Sequence, residues 1–185
     1  MMKRLAVLVS GTGTLLEAMI ADGLEISLVL ADRPCRGLEI AKAAGIPTVL
    51  LGRSFKSDFD RVAYTQLVLQ SLVHFNIQFV SMAGFMTILD KSIFVEFGGR
   101  IINNHPSLLP SFKGDHAVRD AIAFGVKVTG CTIHVATEKL DEGRIIAQEA
   151  VSVLPGDTEV TLHERIKIVE RRLLPDTIRQ FSETI

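Results

Sequence analysis

The 185-residue chain carries 20 basic and 21 acidic residues, a formal charge of −1, so its overall electrostatics give no reason for non-specific binding to nucleic acid or to a membrane surface. Hydrophobic residues make up 48% and charged residues 22%, a balance that excludes disordered and fibrous classes. That length suits one α/β domain over residues 1–185, large enough to bury a substantial core.

The opening Met1-Met2-Lys3-Arg4 is basic, but the apolar run Leu5 to Val9 meets Ser-Gly-Thr-Gly at once. It is far too short for a signal or membrane span, and reads as a first strand, Leu5–Ser10, in a cytoplasmic protein. β-rich apolar runs then alternate with amphipathic ones. A helix over Leu15–Ala21 leads to a strand over Glu25–Ala31, and a helix over Gly37–Ala44 to a strand over Thr48–Leu51. The helix Asp58–Phe75 precedes the strand Ile77–Met82, and the helix Lys91–Phe97 precedes the strand Arg100–Asn103. After a helix over Ala117–Gly125 come strands Thr129–Ala136 and Ile145–Val153, joined by a loop and so expected to pair antiparallel at one end of the sheet. From Thr158, with Asp157 or Thr158 as cap, Leu162, Ile166, Val169 and Leu173 share one helical face, and Pro175 is expected to kink or restart that helix. The pattern predicts a Rossmann-like, mostly parallel sheet with an antiparallel edge and flanking helices. Cys35 and Cys131 have no His or Cys at metal-ligand spacing, so no metal is expected.

Ser10-Gly11-Thr12-Gly13-Thr14 occupies the first strand-to-helix turn, where backbone N–H groups and the helix dipole can hold a phosphate. The alternative is a plain tight turn. It is not a Walker loop, and Leu16 stands where a full G-x-G-x-x-G fingerprint has its last glycine.

Asn103-Asn104-His105-Pro106-Ser107-Leu108-Leu109-Pro110 begins at a strand end, the edge at which open α/β sheets bind ligands. Asn103 and His105 are two apart, so extended backbone points both side chains the same way. Asp141 follows in the turn-rich run Glu138-Lys139-Leu140-Asp141-Glu142-Gly143. Alone it is a solvated turn residue; beside His105, a carboxylate favours the protonated ring and fixes its orientation. Such donors suit a tetrahedral intermediate, where one can be worth about 3 kcal/mol. No serine or cysteine has the flanks of an activated nucleophile, which favours direct attack by the acceptor.

With these motifs assembled, the chain resembles the phosphoribosylglycinamide formyltransferases, folate-dependent enzymes of purine synthesis. Ser-Gly-Thr-Gly, Ala83-Gly84-Phe85-Met86, the Asn103-to-Pro110 string and Leu140-Asp141-x-Gly143 occur in the family's order. The resemblance implies that the amine of phosphoribosylglycinamide attacks the formyl carbon of 10-formyltetrahydrofolate, the co-substrate. Asn103 and His105 would stabilise the oxyanion, His105 would donate a proton, and Asp141 would keep it charged. Gly13, Thr14 and Leu15 match the segment around the substrate phosphate, and Glu170 the ribose-binding glutamate. Arg61 and Met86, Thr87, Ile88 and Leu89 match folate contacts, beside Asn103, and His134 a site histidine. Leu15 stands where the family often has Asn, and Thr87 where it often has Arg. Small-molecule substrates, no nucleic acid, no membrane and a homodimer are the expected partners.

Methionyl-tRNA formyltransferase shares the central string but adds an RNA-binding domain, and formyltetrahydrofolate hydrolase adds a regulatory one; neither extra domain is expected here. A non-catalytic nucleotide-binding module would use the glycine loop alone. A dehydrogenase would use Asp32 on a ribose hydroxyl, against unsuitable glycine spacing.

Overall fold

A computed structural model describes residues 3–54 and 57–185; Met1 and Met2, counted above with the basic opening, lie outside them. Leu5–Val9 (β1) is buried at every position, as a strand covered on both faces must be. It continues into Thr14–Ala21 (α1), Ile26–Ala31 (β2), Arg36–Ala43 (α2), Thr48–Leu50 (β3) and Arg61–His74 (α3). Phe79–Met82 (β4), Ser92–Phe97 (α4), Ile101–His105 (β5) and Ala117–Phe124 (α5) follow, then Val128–Val135 (β6), Ile145–Ser152 (β7) and Glu159–Ser182 (α6).

The seven strands form one sheet in the order β3-β2-β1-β4-β5-β6-β7. Neighbours from β3 to β5 are parallel. The expected antiparallel pair is present, β6 with β7, but β6 also runs against β5. β7 therefore points the same way as β1 to β5, and β6 alone is reversed.

Alternation along the strands splits the core into two layers. Val7, Val9, Val29, Ile102 and Ile133 pack with Leu16 and Met19 of α1 and with Leu174, Ile178 and Phe181 of α6. Ala6, Leu8, Leu30, Val80 and Ile101 pack with Val68 and Leu72 of α3 and Ile93 and Phe97 of α4. A smaller cluster joins Val118 of α5 to Cys131, Leu162 and Ile166.

Most element ends shift by a residue or two, and three differences have a particular physical cause. α3 begins at Arg61 rather than Asp58, because the Asp60 carboxylate accepts the Ala63 N–H at 2.9 Å and caps the helix there. β5 runs on to His105, since Asn104 and His105 still pair with Ile133 and Thr132. Pro175 neither ends nor restarts α6, which is one span capped by a reciprocal Thr158–Thr161 box. An internal proline forfeits one helix bond, but Leu174, Ile178 and Phe181 on both sides of it are buried, and that burial holds both turns in line.

Candidate active site

The strand alternation that buries Ile101 under α3 and α4 places Asn103 and His105 on that same face, at the carboxyl end of β5. Antiparallel pairing sets His134 opposite Asn103. Asn103 Nδ2 and His134 Nε2 are 3.2 Å apart, and His134 Nδ1 donates to the Val135 carbonyl at 3.1 Å. The loop after β6 folds back and delivers Asp141 to both imidazoles. Its carboxylate lies 3.4 Å from His105 Nδ1 and 3.5 Å from His134 Nε2, and all three residues are buried.

Asp141 takes this position with φ at +54°, a left-handed backbone that aspartate tolerates better than most residues. Gly143 is needed two residues on. A Cβ there would come within 1.6 Å of the Val135 carbonyl oxygen, so only glycine lets the loop close against β6. The Phe112–Gly114 segment closes the other side. Phe112 carbonyl accepts from His105 Nε2 at 2.8 Å, Gly114 N–H donates to Asp141 Oδ2 at 2.9 Å, and Lys113 pairs with Glu142 at 2.9 Å. Burial pushes the Asp141 carboxyl up, yet the His134 and Gly114 hydrogen bonds and the charge of His105 outweigh it and hold the group below its ordinary value.

Asn104 points to the opposite face, where Nδ2 donates to Glu170 Oε1 of α6 at 2.9 Å. Glu170 is only 4% exposed. Burial raises its carboxyl above the usual range, and the Asn104 bond offsets that in part. Gly13 heads α1 at φ +71°, and a Cβ there would meet Gly37 Cα at 2.8 Å; the glycine is required by this close approach whatever the loop binds. The Leu15 side chain belongs to the core, so at Gly13, Thr14 and Leu15 the backbone N–H groups are what the helix start offers to a ligand. Arg61 is exposed at the first turn of α3. In the loop after β4, Thr87 and Leu89 are buried while Met86 and Ile88 are 57% and 50% exposed.

A family model for formyl transferases matches residues 3–178. The chain belongs to the formyl transferase family. Phosphoribosylglycinamide formyltransferase of Mycobacterium tuberculosis is 46% identical over 178 residues, 92% of this chain and 81% of that one. The human trifunctional purine biosynthetic protein adenosine-3 is 42% identical over 183 residues, and the chain spans 18% of that protein's length. Among solved structures, glycinamide ribonucleotide transformylase 1 from Symbiobacterium toebii superposes with a TM-score of 0.93 at 39% identity, over 99% of this chain and 89% of that one.

Cys131 is fully buried, and that burial pushes its thiol up to about 12, which disfavours the thiolate a nucleophilic cysteine needs. Asp32, the residue a dehydrogenase would spend on ribose, is instead fully buried and bonded to Arg33 and Thr87. Sequence reasoning passed over Asn104, Phe112 and Gly114. Strand alternation would have sent Asn104 toward the face away from Asn103 and His105, a polar residue in an apolar layer. The Phe112 and Gly114 contacts use backbone atoms, and no side-chain pattern announces those.

Proposed function

We propose that the chain transfers the formyl group of 10-formyltetrahydrofolate to the amine of phosphoribosylglycinamide. The observation that carries this reading is the convergence of Asn103, His105 and Asp141 at the carboxyl end of β5, with His105 Nδ1 3.4 Å from Asp141, in a chain of the formyl transferase family.

The amine attacks the formyl carbon directly, and the carbonyl oxygen gathers negative charge. Asn103 Nδ2 and His105 Nε2 are the donors that meet it. Nε2 also donates to the Phe112 carbonyl; an oxyanion is a stronger acceptor than an amide oxygen and takes that place. Asp141 stabilises the imidazolium and, as the intermediate collapses, helps carry the amine's proton to the departing folate nitrogen. Backbone N–H groups at Gly13, Thr14 and Leu15 hold the phosphate and Glu170 the ribose. Met86, Thr87, Ile88 and Leu89, with Arg61, line the folate side, and His134 orients Asn103 and Asp141.

Incubation of purified protein with both substrates is expected to yield formylated phosphoribosylglycinamide. Release of formate at the same rate with and without the amine would overturn this reading in favour of a hydrolase.

A further inference from the structure

Two loops close over the site, and one ion pair among the described residues joins them: Lys113 Nζ lies 2.9 Å from Glu142 Oε1. Its place in each loop is particular. Lys113 stands between Phe112, whose carbonyl accepts from His105 Nε2, and Gly114, whose N–H donates to Asp141 Oδ2. Glu142 directly follows Asp141. The two contacts from the Phe112–Gly114 segment to the site's side chains are thus made by backbone atoms. That backbone is left-handed at φ +53° for Phe112 and +90° for Gly114, and it meets Asp141 at +54°. A non-glycine residue keeps such a conformation only where surrounding contacts hold it.

Formyl transfer asks two opposite things of this segment. The Phe112 carbonyl has to leave Nε2 when the oxyanion forms, while the Gly114 N–H has to stay on Asp141, where it helps to keep the carboxyl ionised. A tether at Lys113, between the two, permits the first and keeps the second. Lys139 also lies 3.9 Å from Glu142 Oε2, but it is 82% exposed and belongs to Glu142's own loop, so it cannot bridge the two loops.

We propose that Lys113 and Glu142 are positioning residues whose ion pair tethers the Phe112–Gly114 segment to the Asp141 turn, so that the Phe112 carbonyl gives way to the oxyanion without loss of the Gly114–Asp141 hydrogen bond. The inference rests on the formyl-transfer reading of His105 and Asp141 given above.

Steady-state kinetics and amide hydrogen exchange of the full chain test it. Both side chains are exposed, so Lys113→Gln and Glu142→Gln should fold. Each is expected to lower kcat about threefold, the scale of one exposed ion pair, with KM for both substrates held within about twofold. The double variant should match either single one. Exchange at the Gly114 amide should quicken about threefold in the same variants, on the same scale. Lys113→Glu sets two carboxylates together and should cost more, and Lys113→Glu combined with Glu142→Lys should restore both readouts. A kcat that falls in one single variant and rises in the other would show a charge acting at a distance on Asp141. A KM that rises only in Lys113→Gln would show that Lys113 binds substrate. Either result overturns the tether, as do additive losses, or unchanged kcat and exchange. Wild-type protein that transfers no formyl group overturns the reading of the site, and this proposal with it.

Discussion

His105 meets Asp141 through Nδ1 at 3.4 Å while its Nε2 meets the Phe112 carbonyl at 2.8 Å. Each ring nitrogen faces an oxygen acceptor, so the ring is held in one orientation from both ends.

Loss of either partner should therefore cost turnover more than binding. His105→Ala and Asp141→Asn are each expected to lower kcat by at least about a hundredfold, with smaller changes in KM for both substrates. Because the two act as a unit, the double variant should fall little below the worse single one. Additive losses in kcat would show that the two residues act independently.

Asp141 also predicts the acid limb of stability. Its carboxyl is held below the ordinary 3.8 despite burial, so the folded state binds its proton less readily than the unfolded chain. The ionised group contributes stability that is fully present above 3.8 and is lost as pH falls through the lower, folded value. Urea melts at a series of pH values should show this loss in wild type, and Asp141→Asn should flatten it. Parallel curves for the two proteins would remove the carboxylate from the account.

Much of this was legible in the sequence, and the reason differs by residue. Asn103 and His105 are two apart in an extended run, so their shared face followed from strand geometry alone. All seven strands and six helices were likewise visible as apolar runs of alternating period. The reversal of β6 against β5 was not, because a helical connection such as α5 usually returns a parallel strand. Pro175 was over-weighted: local propensity opposed the helix, and burial of Leu174, Ile178 and Phe181 decided it. The Asp32–Arg33–Thr87 cluster joins residues 55 positions apart, and only the packed sheet brings them together.

Gly143 ties site geometry to stability. A methyl group at this position would lie 1.6 Å from the Val135 carbonyl oxygen and 2.8 Å from its carbon, both backbone atoms of β6 that cannot rotate away. Gly143→Ala is expected to cost at least about 2 kcal/mol, and so to lower Tm by at least about 4 °C on calorimetry. Because Asp141 lies in the same turn, kcat should fall with it. Wild-type Tm together with wild-type kcat would mean that the loop can reseat without cost.

Glu170 predicts the opposite sign for stability. It is 4% exposed and bonded by Asn104 Nδ2, while Asn104 Oδ1 is buried with no hydrogen-bond partner among the described residues. Burial raises the Glu170 carboxyl above its ordinary 4.5. The folded state therefore holds the proton more tightly than the unfolded chain, and its contribution, full below 4.5, is lost as pH rises through the folded value. At pH above that value the buried carboxylate opposes folding. Glu170→Gln keeps the shape and an acceptor for Asn104 without the charge, so it is expected to melt above wild type at pH 8, with the gap closing toward pH 4. If Glu170 holds the ribose as proposed, the same substitution also weakens that acceptor, and KM for phosphoribosylglycinamide should rise about tenfold, the scale of a lost hydrogen bond to a charged group. A variant that melts lower at pH 8 and keeps its KM would place Glu170 in the structure of α6 alone.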